Sequence, residues 1–299
     1  MKTELAQTLA EGRLVVTAEC LPPRGGNATA MRKLAAALPT RLNAVLVADN
    51  PDETGGSALA CAAILAGEKR KPVLSMITRD RNRIALQSDV LGAAALGVES
   101  VFCISGEHQS LGASPHAAGA YDIDSVQLIA GIQTMCRTGV DFGGHKMETP
   151  PDLFVGAAAH PYLRPMELNL LRLKKKVRAG AAFLVTQAIF DLPGFTEWMD
   201  AVRAAGIDKQ TAIIASVLPL ASVEQAKRLA AKKTYGPVGQ DVIDRLTKAS
   251  DAAKEGITIA AEMARKVKAI AGVKGVHILS GGCEGSVAAL LQEAGLSQA

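Results

Sequence analysis

The chain repeats one pattern from Leu14 onwards: a short apolar run is followed by a longer segment whose apolar residues recur at helical spacing. Runs of this kind, without polar alternation, are typical of strands that are buried on both faces. A repeated strand–helix unit gives parallel strands joined by right-handed crossovers. Eight units in 299 residues therefore predict an α/β fold, a closed (βα)8 TIM barrel that forms one domain over residues 1–299. The predicted strands are Leu14–Ala18, Ala44–Ala48, Val73–Ile77, Val101–Ile104, Leu153–Ala158, Ala182–Val185, Ala212–Ala215 and Val276–Leu279.

An open, doubly wound sheet is the competing fold for this pattern. Such a sheet normally carries a G-x-G-x-x-G turn directly after its first strand. The residues at that place, Glu19–Gly26, read Glu-Cys-Leu-Pro-Pro-Arg-Gly-Gly and do not match. The stretch from Lys232 to Gly272 has additional helical periodicity before the last apolar run. We interpret it as extra helices inserted within the barrel rather than as a second domain.

Composition narrows the function classes. With 33 basic and 29 acidic residues, a net charge of +4, the chain does not have the charge of a nucleic-acid-binding protein. Aromatic residues are only 3%, so no stacking platform for single strands is expected. Without an apolar run near ~20 residues or a signal-peptide pattern, membrane insertion and secretion are not expected. The five cysteines are dispersed, which predicts neither a zinc site nor disulfides and favours a reduced, cytoplasmic protein.

Polar residues follow each apolar run, and in a (βα)8 barrel this is where an active site forms. A lone polar residue after a strand is usually a cap or a loop anchor, and we favour that interpretation for Asp49, Ser216 and Ser280. The residues at the eight positions are Glu19, Asp49 with Asn50, Thr78, Ser105 with Glu107, His160, Gln187, Ser216 and Ser280.

Glu19 and Gln187 are the two candidates with a clear chemical use. Desolvation at an apolar barrel mouth favours the protonated form of a carboxyl group, so Glu19 is a candidate proton donor. An ion-paired structural glutamate is the equal alternative. Gln187 has one acceptor and two donor hydrogens, which suits a ligand edge of mixed donors and acceptors such as a pterin. From this stretch alone, we favour a simple loop anchor for Gln187.

Several familiar site motifs are absent from the sequence. It contains no H-E-x-x-H and no G-x-x-x-x-G-K-[ST] phosphate loop, and the five histidines are too dispersed to indicate a metal. Two interpretations explain the glycines of Ser280-Gly281-Gly282 equally well: a loop that binds a phosphate and a tight turn. The basic run Arg172–Arg178 lies on a predicted helix, where a solvated face is favoured over an anion site.

Six segments, taken in order, resemble the 5,10-methylenetetrahydrofolate reductase family. Each segment alone is weakly specific, whereas their ordered combination between about Leu14 and Gly295 is specific. The segments are Glu19-x-x-Pro22-Pro23-Arg24, Thr78–Arg83, Ser105–His108, Lys174–Gly180, Thr186-Gln187-x-x-Phe190-Asp191, and Leu218-Pro219 with Gln225-Ala226-Lys227.

The resemblance implies an enzyme that moves a hydride from NAD(P)H to FAD and then to a folate-bound one-carbon unit, giving 5-methyltetrahydrofolate. Glu19 matches the family's catalytic general acid. Glu107 and Gln187 match residues that bind the pterin of the folate substrate. The positions that the resemblance assigns to flavin binding are Thr78, Gly106, Tyr121, His160, Asn169 and Lys176.

Departures from the family pattern indicate a divergent branch. Ser105 and Glu107 replace an arginine and an aspartate, and Asn169 replaces an acidic flavin contact. Val223 replaces an aromatic residue, and Gly282-Cys283 replaces an Asn-Arg pair associated with the folate tail. A flavin-free reductase on the same barrel therefore stays open, as does a flavin- or folate-binding subunit of a larger complex. Assembly as a homo-oligomer or with an accessory subunit is also left open.

Overall fold

The computed structural model describes residues 3–51, 54–232 and 236–296. Eight parallel strands pair in chain order, and the eighth pairs with the first, so the sheet closes on itself. The predicted (βα)8 barrel is confirmed. The strands are β1 (Val15–Cys20), β2 (Ala44–Val47), β3 (Pro72–Ile77), β4 (Ser100–Ile104), β5 (Phe154–Ala159), β6 (Phe183–Ala188), β7 (Ala212–Val217) and β8 (Val273–Ile278).

Helices connect the strands, and the described ranges contain none with the length and apolar character needed to cross a bilayer. Helices α9 (Gln240–Lys248) and α10 (Ala252–Lys268), which precede β8, confirm the extra helices predicted between Lys232 and Gly272. The helices are α1 (Glu4–Ala10), α2 (Ala28–Ala37), α3 (Ala58–Gly67), α4 (Arg83–Ala95), α5 (Ser125–Thr138), α6 (Met166–Ala179), α7 (Leu192–Ala204), α8 (Val223–Ala231), α9 (Gln240–Lys248), α10 (Ala252–Lys268) and α11 (Gly285–Glu293).

Each strand is buried on two sides, which explains why the apolar runs do not alternate with polar residues. One set of side chains packs between the strands and the surrounding helices. A second set fills the barrel, where Phe183 stacks against Phe102 and Phe154 with ring centroids 6.3 and 5.3 Å away. Helix α1, which the sequence pattern did not predict, adds the buried Leu5 to this inner set. The barrel interior is therefore a packed core rather than a pore.

Several strands differ at their ends from the predicted runs, and two of these differences affect the site. Strand β1 continues through Glu19 and Cys20, and β6 continues through Ala188, so Glu19 and Gln187 lie within strands rather than after them. Backbone ladder bonds do not depend on side-chain polarity, whereas the prediction read hydropathy alone. The pairing of β6 with β7 also shifts between Val185 and Ala188, which marks a β-bulge.

Candidate functional site

A cavity of about 350 Å³ opens where the carboxyl ends of the strands meet. Three of the predicted residues, Glu19, Glu107 and Gln187, line this mouth cavity together. Apolar side chains form much of the remaining wall, among them Leu46, Ile77, Phe102, Ile104 and Val185. Apolar walls with a few convergent polar groups are typical of a small-molecule site.

Glu19 reaches the cavity because it is the penultimate residue of β1, two positions beyond Thr17 on the same strand face. Glu19 pairs in register with Leu46 of β2 and is half-buried. The chain leaves the strand directly afterwards, where the Leu21 amide donates to the Glu284 carboxylate over 3.4 Å. The carboxyl group of Glu19 is thus carried by the sheet rather than by a loop, which favours a precise position.

Gln187 lies in the β-bulge of β6. Its neighbour Thr186 is fully engaged with the backbone, because its hydroxyl donates to the Gln187 carbonyl at 2.8 Å and accepts from the Ser216 amide at 2.9 Å. The Gln187 side chain hydrogen-bonds the ring of His160, which also lines the cavity. Bulges commonly redirect side chains next to active sites, and this bulge brings both Thr186 and Gln187 to the wall.

Glu107 follows a backbone turn at Gly106 that only glycine allows. Gly106 has φ +83°, and a Cβ atom there would lie 2.8 Å from Ile77 Cγ2. The glycine is therefore required by packing within the protein. The turn directs the chain across the cavity and brings Glu107 to its edge.

Arg79, which sequence reasoning did not single out, ties three loops together at the mouth. Its guanidinium donates to the carbonyls of Glu107 at 3.2 Å and Asn50 at 2.9 Å. It also makes a two-point ion pair with Asp80 over 2.7 and 2.8 Å. The residue is only 9% exposed and lines the cavity. Its planar fork makes contacts that a lysine could not reproduce.

The six predicted flavin residues fall into two groups. Gly106, His160 and Lys176 line the mouth cavity. The other three lie apart from its lining: Thr78 is buried, Asn169 donates to the carbonyls of His160 and Leu163, and Tyr121 donates to the Glu107 carbonyl from a partly exposed loop. The Thr78 hydroxyl has no hydrogen-bond partner among the described residues. Three of the six predicted residues therefore lie at the cavity, and the side chains of Asn169 and Tyr121 make their hydrogen bonds within the protein.

Lys176 is the one member of the basic run Arg172–Arg178 that lines the cavity. Its ammonium donates to the Ala158 carbonyl at 2.5 Å. Burial, and to a smaller degree the nearby charge of Arg172, lower the pKa of Lys176 to about 8. Desolvation also lowers the pKa of the neighbouring His160 to about 4, with a contribution from Lys176, although part of that histidine is exposed. At neutral pH, Lys176 is therefore a cation and His160 a neutral imidazole.

His277 on β8 is a second residue that the sequence reasoning missed. It faces into the barrel, lines the cavity and is 2% exposed. Its Nδ1 lies 2.9 Å from the hydroxyl oxygen of Thr17, its register partner on β1. Burial lowers the pKa of His277 to about 3, so its ring is neutral at physiological pH.

The titration of His277 predicts a pH-dependent stability. The unfolded chain takes up a proton at His277 below its ordinary pKa of 6.5, whereas the folded protein does so only near 3. The contribution is therefore intact above pH 6.5 and lost as the pH falls towards 3, by about 2 kcal/mol at pH 5. Between pH 7 and 5, the unfolding free energy of His277→Gln should fall by about 2 kcal/mol less than that of the wild type in denaturant titrations. The exposed His116→Gln should follow the wild type, and equal slopes for all three proteins would contradict the assignment.

Three strand-end residues make contacts that suit the anchoring role favoured for them. Asp49 accepts from the Ile77 amide at 2.9 Å and pairs with Arg81. Burial raises the pKa of Asp49, and Arg81 opposes that effect. Ser216 donates to the Thr186 carbonyl at 2.5 Å, and the Ser280 carbonyl accepts from the Cys283 amide at 2.9 Å in a tight turn. These contacts bind neighbouring loops and strands to one another around the mouth.

Several proteins with similar sequences carry the name methylenetetrahydrofolate reductase. The 5,10-methylenetetrahydrofolate reductase of Escherichia coli (strain K12) is 37% identical over 83 residues, which cover 26% of this chain and 27% of that enzyme. The enzyme of the same name from Pectobacterium carotovorum is 25% identical over 76% of this chain and 72% of its own length. The probable methylenetetrahydrofolate reductase (NADPH) of Caenorhabditis elegans is 24% identical over 83% of this chain but only 36% of its own length.

Solved structures agree with the fold. An uncharacterised protein from Clostridium thermocellum, which binds two copies of 5-methyl-5,6,7,8-tetrahydrofolic acid, superposes with a TM-score of 0.69 at 15% identity. That comparison covers 98% of this chain and 99% of the other. The family model described as methylenetetrahydrofolate reductase matches residues 4–295, nearly the whole length. Since the match extends over the barrel and the mouth cavity alike, the chain belongs to the methylenetetrahydrofolate reductase family.

Proposed function

We propose that the protein reduces 5,10-methylenetetrahydrofolate to 5-methyltetrahydrofolate with a hydride that originates from NAD(P)H. The observation that carries this proposal is the convergence of Glu19, Glu107 and Gln187 on one apolar-walled cavity. Family membership supports it, as does a neighbour of the same fold that binds a methylated folate. Ring opening of the substrate needs an acid, and pterin recognition needs mixed donors and acceptors.

Each of the three side chains has a separate task in this proposal. Glu19 donates a proton to N10 of the bound substrate, which opens the five-membered ring and leaves an electrophilic iminium at N5. Gln187 meets the pterin edge with its amide, which the contact with His160 orients. Glu107 accepts a hydrogen bond from the pterin. The apolar wall excludes water and keeps the reacting carbon close to its hydride donor.

We propose FAD as the hydride carrier, with Gly106, His160 and Lys176 as the residues that would hold its ring. FAD, when bound, accepts a hydride from NAD(P)H and passes it to the one-carbon unit. The ammonium of Lys176 would place a positive charge beside the ring, and the neutral imidazole of His160 would offer a hydrogen bond without adding charge.

A flavin-free reductase is the second candidate, and a specific observation favours it. The side-chain donors of Asn169 and the hydroxyl of Tyr121 are engaged with backbone carbonyls of the protein itself. Two of the side chains predicted to bind the flavin are therefore already hydrogen-bonded within the protein. In that case the hydride would pass directly from the nicotinamide to the iminium, with Glu19 and Gln187 in the same roles.

The visible spectrum and one assay separate these candidates. A yellow protein, or one that turns yellow with added FAD and then reduces methylenetetrahydrofolate with NADH or NADPH, supports the flavin enzyme. A colourless protein with the same turnover supports direct transfer. Turnover that arises only with a partner subunit would indicate a component of a complex. If the protein shows no turnover without FAD, with added FAD, or with a partner subunit, the proposed function is overturned.

Arg79→Lys should weaken folate binding by about tenfold, since one charged hydrogen-bonded contact is worth about 1.5 kcal/mol. Lysine keeps the charge but cannot hold the Glu107 and Asn50 carbonyls together with Asp80. The Kd for folate is measured by equilibrium dialysis. The matched control is Arg83→Lys, which removes a similar fork to Asp122 on the exterior and should leave the Kd unchanged. Equal effects of the two variants would contradict a positioning role for Arg79.

A further inference from the structure

The outward face of α4 is unusually apolar for a helix on the surface of a barrel. Ile84 is 71% exposed, the largest fraction among the large apolar side chains of the described residues, and Leu91 is 40% exposed. A surface helix normally turns polar or charged residues to solvent. Beyond Arg83, the exposed residues of α4 are Ile84, Ser88, Leu91 and Ala95, which we call the α4 stripe.

The two charged residues of α4 do not give the stripe a charge. Arg83 donates to the Asp122 carboxylate at 2.8 and 2.9 Å. Asp89 accepts from Arg81 at 2.6 Å. Both charges are therefore paired within the protein, and the stripe between them is uncharged.

Helix α3 extends this apolar surface. It packs beside α4, where Leu59 lies over Gly92, because a Cβ atom on that glycine would be 3.6 Å from Leu59 Cδ2. No charged residue occurs between Ser57 and Gly67. On the outer side of α3, Ala63 and Ile64 are only half-buried. A contiguous apolar surface on two neighbouring helices marks a protein contact, which single exposed leucines do not.

The exposed leucines of α6 show the difference. Leu168 and Leu171 are 41% and 47% exposed. Exposed cations, Arg172 and Lys175, lie beside them on the same helix. Charged groups keep that face hydrated, so α6 does not present a continuous apolar surface.

The spacing of the α4 stripe is the same in both directions. Its members follow one another at intervals of four, three and four residues, so the stripe reads identically along an antiparallel copy of α4. Positions that repeat after seven residues also form the contact line of a coiled coil. With a two-fold axis midway between Ser88 and Leu91, these two residues would meet across the axis, and Ile84 would meet the second copy's Ala95. Each contact then joins a large side chain to a small one, which allows close packing.

We infer that the α4 stripe binds a second copy of this chain, as an antiparallel, two-fold symmetric pair of α4 helices flanked by α3. A second copy is favoured because one self-complementary stripe supplies both sides of the contact. Antiparallel pairing also places the N-terminal end of each helix dipole beside the C-terminal end of the other. In a (βα)8 barrel the helices run antiparallel to the strands, so the two mouths open on opposite sides of the pair.

The size of the surface sets the expected strength of pairing. The ten residues of α3 and the thirteen of α4 form helices about 15 and 20 Å long, and packed helices lie about 8–10 Å apart. The face therefore covers about 350 Å² of projected area per copy, below the ~800 Å² of a standard interface. A pair of this size should dissociate reversibly on dilution.

Sedimentation velocity between about 1 and 200 µM measures the pairing. The wild-type mass should rise with concentration towards that of two chains. Leu91→Asp should raise the Kd of the pair about tenfold or more, because an unpaired carboxylate would be buried in the contact. Leu171→Asp, which changes a similarly exposed leucine on α6, should match the wild type.

A mixing experiment tests the two-fold arrangement. The two copies of residue 91 would lie on opposite sides of the axis, offset by about 4.5 Å along the helices. Leu91→Lys should therefore weaken pairing as Leu91→Asp does, whereas an equimolar mixture of the two variants should associate again through opposite charges. Unfolding midpoints show whether the variants are folded. Ser88→Arg, a change at an exposed polar position, serves as a second disrupting variant.

Three results would overturn the inference. The first is a wild-type mass of one chain at every concentration. The second is wild-type pairing that persists in both Leu91→Asp and Ser88→Arg, since the contact would then lie elsewhere. The third is loss of pairing in each Leu91 variant without recovery in the mixture, because a different surface would then cover the stripe. None of these outcomes depends on the proposed function.

Discussion

Replacing Glu19 with Gln should lower the rate of methylenetetrahydrofolate reduction by about 10²- to 10⁴-fold, the usual contribution of a positioned general acid. Glutamine keeps the size and the hydrogen-bonding reach of the side chain but has no proton to give to N10. Because the residue belongs to β1 rather than to a loop, the exchange should not move its neighbours. The substitution should therefore slow the chemical step itself.

Two half-reactions make the Glu19 test specific. Oxidation of NAD(P)H by an artificial electron acceptor does not open the folate ring, so Glu19→Gln should retain most of this activity. Folate binding should change little, which dialysis would check. Glu99→Gln provides a control, since this exposed acid lies at the opposite end of the barrel, immediately before β4. If both half-reactions fall together in Glu19→Gln, Glu19 is a structural residue and not the acid.

Gly256→Ala should reduce the free energy of unfolding by about 3 kcal/mol or more. Gly256 lies within α10, and a Cβ atom there would be 1.9 Å from the carbonyl oxygen of Leu220 and 2.8 Å from its carbonyl carbon. Both are backbone atoms, so no side-chain rotation relieves the clash. Helix α10 would have to move away from the segment that follows β7.

A matched glycine separates this clash from helix propensity. Gly67 is also helical, at the end of α3, but a Cβ atom there meets nothing within 4 Å. Gly67→Ala should leave stability unchanged or raise it by about 0.5 kcal/mol, because alanine favours helix. Denaturant midpoints for both variants give the comparison. A Gly256→Ala protein within about 0.5 kcal/mol of the wild type would show that α10 can shift freely, contrary to its packing here.

The sequence alone was sufficient to predict the barrel, because eight strands buried on both faces produce eight apolar runs at regular intervals. It was less informative about where strands end. The run Ala182–Val185 omits Thr186 to Ala188, although the ladder continues through them in β6. Hydropathy reports the environment of a side chain, whereas strand pairing depends on the backbone. The seven-residue α1 was missed because it is too short to establish a clear period.

Within the site, the sequence indicated Glu19, Glu107 and Gln187 because strand ends in a (βα)8 barrel converge, and family resemblance assigned their roles. It could not indicate His277 or Arg79. Both faces of a barrel strand are apolar in sequence, so only the closure and register of the sheet decide that His277 points inwards beside Thr17. Likewise, only packing decides that Lys176, among several neighbouring basic residues, turns from solvent to the cavity.

The amino-acid pattern by itself thus determined the architecture and the end of the barrel where chemistry is expected, since both follow from local periodicity and strand direction. Tertiary structure alone decided the bulge that brings Thr186 and Gln187 to one wall, the contacts by which Arg79 joins three loops, and the inward direction of His277. Those features depend on contacts between segments far apart in the chain, such as β1 with β8 or Arg79 with the carbonyls of Asn50 and Glu107. No local pattern encodes the distance between such segments.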